Sequence, residues 1–292
     1  MRFDVSHRTV YGYGQPVSLS HHLLRLTPRA TPRQTCHRSG LAVTPSPDVS
    51  RTSSDYFGNA TTYITVQEPH TSLSIQARSV VEVLPREAPE ASKTLAWDQV
   101  RAALAKDTSR DGLDAIQFAF PSPWTGASDE VEAFARPSFV PGRPVLEAAL
   151  DLTARIFKGF QYDPTATTVA TPVDQVFALK RGVCQDFAHL EIACLRSLGL
   201  AARYVSGYLL TRPPEGQEKL IGADASHAWL SVYCPGQGWV DLDPTNNVLP
   251  NEEHITLAWG RDYGDVSPVN GAILGGGAHT VHVAVDVTPR AA

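Results

Sequence analysis

The stretch Gly182-Val183-Cys184-Gln185-Asp186-Phe187-Ala188-His189-Leu190 decides how this chain is read. A cysteine follows a short loop and opens a predicted helix. Apolar residues recur at Phe187, Leu190, Cys194, Leu195 and Leu198, the spacing of a helix with one buried face. Gly182 has no side chain, so the backbone can turn sharply just before Cys184. In the first turn of a helix a cysteine lies beside unpaired N–H groups and the positive end of the dipole. Both favour thiolate over thiol. The Cys184 N–H can also donate to an oxyanion on a substrate carbonyl. A free cysteine alone is more often a small buried hydrophobe, so the weight falls on what surrounds it.

Upstream, Thr171-Pro172 opens a helix with Val176 and Leu179 facing inward, and Gly182 closes it. Thr165 to Ala170 reads as a surface loop and Phe160 to Pro164 as an extended exit from an earlier helix. That helix starts at Pro144 and buries Val145, Leu146, Ala149, Leu152 and Ile156. Two shorter helices precede it, one marked by Trp97, Val100 and Leu104, the other by Val131 and Phe134 behind an N-cap at Ser128.

Downstream, Arg203 to Leu210 reads as a strand, followed by a loop with Pro213, Pro214 and Gly216. Ser226 to Tyr233 alternates, with His227, Trp229, Ser231 and Tyr233 on one face. Cys234 to Gly238 is a turn, and Trp239 to Asp243 returns. If Tyr233 faces Trp239, His227 and Asp243 are diagonal neighbours; if it faces Gln237, they are directly opposed. In either register the acid can orient the imidazole. Asp241 shares the face and is the rival, should the register slip further. Nucleophile, base and orienter thus follow in the order Cys184, His227, Asp243.

The first third is strand-rich. Phe3, Val5, His7, Thr9, Tyr11 and Tyr13 alternate, as do Leu73, Ile75, Ala77, Ser79, Val81 and Val83. Asp55-Tyr-Phe-Gly-Asn59 reads as a turn before another strand. His7, His21, His22, His37 and His70 are scattered and read as surface or structural. The Pro/Glu/Ala/Ser-rich link Leu84 to Lys93 separates this part from the rest. The expected division is therefore a small antiparallel β-sandwich at 1–88, then helices and an α+β catalytic core at 89–292. Near the end, Gly271 to Ala278 reads as a mobile loop near the cleft. Val281, Val283, Val285 and Val287 read as a last strand, with its partner sheet left open.

The 292 residues suffice for two domains, and 42% hydrophobic with 19% charged residues is ordinary for a globular protein. A net charge of −5 without a basic patch argues against nucleic acid or an anionic membrane as partner. No apolar leader or spanning run is present, so a cytoplasmic location is expected. The four cysteines, 36, 184, 194 and 234, form no C-x-x-C pair, which argues against structural zinc.

Gly182-Val-Cys-Gln-Asp-Phe-Ala188, Ala202-Arg-Tyr-Val-Ser-Gly-Tyr208, Ser226-His-Ala-Trp229 and Gly238-Trp-Val-Asp-Leu-Asp-Pro-Thr245 closely resemble the bacterial transglutaminase-like cysteine hydrolases. The first third, with Asp55 to Asn59, is similar to the β-rich N-terminal region of that family. The resemblance implies a papain-like α+β core with Cys184 as nucleophile, His227 as general base and acid, and Asp243 as orienting acid. It leaves the second oxyanion donor open, with Tyr162 first and Gln185 second among candidates, though core packing is the commoner role for Tyr162. Trp229 either lines the cleft or packs. Asp186 and Glu191 read as capping or decorating the nucleophile's helix, and His189 as structural. The expected chemistry is hydrolysis of an amide, peptide or isopeptide bond through a thioester, with no metal or organic cofactor. The substrate would be a peptide, a protein or a small amide. Protein cross-linking, a non-catalytic interaction module and, more weakly, a metallohydrolase are the competing readings.

Overall fold

A computed structural model describes residues 1–211 and 226–290, so the expected loop at Pro213 to Gly216 lies outside the described residues. The chain opens with β1 (Arg2–Leu24), β2 (Gln34–Thr44), β3 (Val49–Ser54), β4 (Ala60–Val66) and β5 (His70–Val83). Helices α1 (Trp97–Leu104), α2 (Arg110–Ile116), α3 (Asp129–Ala135) and α4 (Val145–Gly159) follow. The short strands β6 (Gln161–Tyr162) and β7 (Arg181–Gly182) flank α5 (Val173–Leu179), and α6 (Cys184–Ser197) comes next. Then come β8 (Ala202–Leu209), β9 (Ser226–Cys234), β10 (Gly238–Leu242), β11 (His254–Gly260), α7 (Tyr263–Val266), β12 (Val269–Gly275) and β13 (His279–Pro289).

The N-terminal sheet is built on β1, whose apolar alternation runs further than the sequence pattern suggested. Its first half pairs with β5 on one edge and β13 on the other; its second half pairs with β4 and β12. Pairing breaks between Gly12 and Val17; Phe3 and Val5 of the first half join the main core, whereas Tyr13, Val17 and Leu24 pack with Ile64, Leu73 and Ile75 in a second one. One expectation is corrected here. The segment around Gly271 is not a loop near the cleft but strand β12, laid on β1 with Gly271 opposite His22. A Cβ at Gly271 would sit 2.3 Å from the His22 ring, so glycine is what allows that approach. Gly275, Gly276 and Gly277 turn the chain into β13 with φ of 97°, 85° and 59°. The last strand, whose partner sheet the sequence left open, is β13, paired with β1.

The second sheet has the order β10-β9-β8-β11. One face meets α6: Ala228, Leu230 and Val232 join Leu190, Ala193, Cys194 and Leu195 in the main core. The other face carries Arg203, Val205, Trp229, Ser231 and Tyr233 toward the N-terminal part. The outer edge of β11 is covered by side chains from that part. Gln34 Nε2 donates to Thr256 O (2.7 Å) while Thr256 N–H donates to Gln34 Oε1 (2.8 Å). Asn59 does the same at Trp259, with Nδ2 to O at 2.8 Å and N–H to Oδ1 at 3.0 Å. Each amide side chain thus stands in for a strand neighbour, which occupies groups an exposed edge would offer to another chain.

Candidate active site

Cys184 is the first residue of α6, half-buried, and follows Val183 in extended backbone. The turn is fixed by Asp186, whose Oδ2 accepts from the Val183 N–H (2.8 Å) and the Thr167 hydroxyl (2.6 Å). A Cβ on Gly182 would lie 2.6 Å from that Oδ2, so the cap requires a glycine there. Asp186 is therefore a helix cap, as the sequence suggested. The loop before α5 is tied down as well, because Gln185 Nε2 donates to Val169 O at 3.1 Å.

The β9–β10 hairpin takes the five-residue turn, with Tyr233 opposite Trp239 and Ser231 opposite Asp241. His227 and Asp243 are then diagonal neighbours, and His227 Nε2 meets Asp243 Oδ2 at 2.7 Å. Asp241 instead accepts from the Ser231 hydroxyl and is no partner of the histidine. Asp243 is fully buried. Its Oδ2 also accepts from Asn246 Nδ2 (2.7 Å) and meets His254 Nε2 (3.2 Å), while Oδ1 accepts the N–H groups of Thr245 (2.9 Å) and Asn246 (3.2 Å). Asn251 N–H donates to His254 Nδ1 (3.4 Å), which leaves the proton of neutral His254 on Nε2, facing the acid.

Burial works against ionisation of Asp243, but the bonds from His227, His254 and Asn246 outweigh it and hold the carboxyl far below its ordinary range. Burial likewise opposes a charged His227. Hydrogen bonds to Asp243 and to Cys184, reinforced by their charges, outweigh it and raise its pKa to about 10. With Nε2 given to the acid, Nδ1 is the nitrogen left for the sulfur. Cys184, His227 and Asp243 are thus brought together. His227, Asp243 and His254 could also ligate a metal ion, since their ligand atoms lie within 4.8 Å of one another, but those atoms already satisfy one another as hydrogen-bond partners.

Residues 3–82 match the bacterial transglutaminase-like N-terminal region, and residues 132–244 match the transglutaminase-like superfamily. The chain belongs to that superfamily. An uncharacterized protein of Mycobacterium tuberculosis (strain H37Rv) is 42% identical over 298 residues, covering 99% of this chain and 93% of that one. A protein-glutamine gamma-glutamyltransferase of Pseudomonas aeruginosa is 33% identical over 107 residues, covering 34% of this chain and 16% of that protein. Among solved structures, "a Putative Cysteine Protease from Cytophaga hutchinsonii" superposes with a TM-score of 0.76 at 23% identity, covering 100% of this chain and 92% of that one.

Of the other residues singled out in this transglutaminase-like chain, some take their expected places and some do not. Tyr162 is not core packing: it is 54% exposed, beside Cys184, whose charge adds to burial in raising the phenol's pKa. Trp229 is wholly buried, packed between His227 and His254 with ring centroids 6.0 and 5.3 Å away, and its Nε1 has no partner. Glu191 does not decorate the helix surface; it is buried in the core against Thr153. Burial raises its pKa to about 8. The Thr153 hydroxyl donates to Glu191 Oε1 (2.7 Å) and offsets only part of that effect, while Glu191 Oε2 is buried with no partner among the described residues. His189 is structural, accepting the Tyr263 N–H at 3.1 Å, with burial lowering its pKa to about 3.

Sequence reading missed Arg196. Its buried guanidinium donates to the carbonyls of Phe118, Ala202 and Arg261 and to the hydroxyls of Ser122 and Thr125. It thereby ties the far end of α6 to the segments around it. Its one sequence signal is an arginine directly after the apolar run Ile192 to Leu195.

Proposed function

We propose that the protein is a thiol-dependent amide hydrolase that works by acyl transfer through Cys184, His227 and Asp243. The observation that carries this reading is one imidazole held by a buried carboxylate on Nε2 with a helix-start cysteine as its other partner. His227 takes the Cys184 proton, and the sulfur attacks an amide carbonyl. The Cys184 N–H, in the first turn of α6, donates to the oxyanion, and Tyr162, exposed beside the sulfur, is the candidate second donor. Gln185 is the weaker candidate because its side-chain N–H already holds Val169. His227 then protonates the leaving amine, and a thioester remains. Water, activated by the same histidine, releases the acid. The substrate is a peptide, a protein or a small amide, and no metal or organic cofactor takes part. Hydrolysis is favoured over cross-linking because water needs no dedicated acceptor site.

Alkylation by iodoacetamide, resolved by peptide mass spectrometry, tests the pairing. Cys194 and Cys234 are buried and their pKa values are raised by burial, so Cys36 is the one thiol to monitor alongside. Near neutral pH, Cys184 of the wild type is expected to react about tenfold faster than that of His227→Ala. Equal rates in the two proteins would sink the catalytic reading. Incorporation of a fluorescent primary amine into a glutamine-bearing protein, at the expense of hydrolysis, would reassign the acceptor.

A further inference from the structure

Behind Asp243, on the face of the second sheet turned away from α6, lies a cavity of 720 Å³ that Cys184 and His227 do not line. Its polar centre is Arg203. This side chain is 8% exposed, and its guanidinium lies between two indoles, 4.4 Å from the Trp239 centroid and 3.8 Å from that of Trp259. Arg29 stacks on the other side of Trp259 at 3.5 Å, so the ladder is anchored in the N-terminal part. Arg203 Nε donates to Ser231 Oγ at 3.4 Å. Neither Nη has a hydrogen-bond or ion-pair partner among the described residues. Neither Nη is among the buried polar atoms without a partner, so both face the open cavity, where a ligand can take the place of water as acceptor.

The surroundings narrow what that acceptor is. The two Nη groups present the spacing of a bidentate carboxylate. Trp229, Trp239, Trp259 and Tyr233 give apolar wall on which a hydrocarbon or aromatic body can lie. Arg33 and Arg86 line the same space, but so do Asp111, Asp114 and Asp241. Those acids disfavour a multiply charged anion such as a phosphate ester and leave room for a single negative charge. We infer that this cavity is a binding site for a small carboxylate carrying an apolar or aromatic body, with Arg203 as its anion receptor. The carboxylate can be that of a free acid or of a peptide C-terminus. His254 lines the cavity and its Nε2 touches Asp243, so an occupant sits one histidine away from the triad. The site does not depend on the triad being active.

The lining tryptophans supply the readout. Intrinsic fluorescence of the full chain is titrated with 3-phenylpropionate, with its neutral isostere 3-phenylpropionamide, and with the dipeptide Gly-Phe. Each titration is repeated after Cys184 has been alkylated. The expected result is saturable quenching by a carboxylate at millimolar concentration and a loss of about ten- to a hundredfold for the amide. Binding should be unchanged by alkylation and lost in Arg203→Met. The tighter of 3-phenylpropionate and Gly-Phe tells free acid from peptide end. No saturable change, equal binding of acid and amide, or loss on alkylation would overturn the inference. The acid–amide comparison on wild type decides even if Arg203→Met does not fold.

Discussion

Asp243 receives more hydrogen bonds than orienting an imidazole demands. Two histidines, one amide side chain and two backbone N–H groups converge on it. All are donors, so a carboxamide in its place would turn its own N–H groups onto one of them. Asp243→Asn is therefore expected to lower kcat/KM for amide hydrolysis by about 10³–10⁴-fold. A change in thermal stability with hydrolysis intact would mark the acid as structural only. Glu191 makes the opposite case, a carboxyl kept neutral by its surroundings. Its folded pKa of about 8 lies above its ordinary 4.5, so its contribution to stability is complete below ~4.5 and is lost as pH rises toward 8. Glu191→Gln keeps the neutral shape without the titration. Urea unfolding should show the variant gaining on wild type between pH 5 and 8, by up to roughly 4 kcal/mol. Parallel pH profiles would place Glu191 outside this account.

At the scale of elements, the docking of Asp55 to Asn59 on β11 decides how the two sheets meet. Asn59→Ala removes both bonds to Trp259 and leaves a backbone pair unsatisfied, so a loss of about 2–3 kcal/mol in denaturant unfolding is expected. Asn59→Asp, which sets a second carboxylate against Asp55 Oδ2 and the Trp259 carbonyl, should cost at least as much. The turn itself was legible, because Asp55 Oδ1 accepts from Phe57 and Asn59 N–H groups within a few residues. Its target, 200 residues away, was not. The same contrast runs through the molecule. Helix spacing after Cys184 and period-two alternation around His227 are local patterns, and they fix where these two side chains fall. Strands β2 and β3 are exposed along most of their length, so no apolar alternation announced them. α2 is short and carries Gly112, which hid it in the same way. Arg196 and Arg203 are buried charges whose partners are carbonyls and indole faces from distant segments, and no spacing rule encodes those.

Taken whole, the molecule is closed by its last two strands. β12 and β13 cover the entire free edge of β1, and Val285 and Val287 enter the core beside Phe3, Val5 and Val81. A chain ended after Pro268 would keep Cys184, His227 and Asp243 but expose that edge and core. It should appear in the insoluble fraction on expression, and a soluble, amidase-active truncation would contradict this account. The described helices include none long and apolar enough to cross a membrane. The pairing of β1 with β13 has a temporal side as well. Synthesis runs from β1 toward β13, so β1 leaves the ribosome well before its last neighbour is made. Throughout translation the nascent N-terminal half presents a 23-residue strand with one side unclaimed. The segment that carries Cys184 and His227 is made in between, and resistance to proteolysis is expected only once β13 has been made.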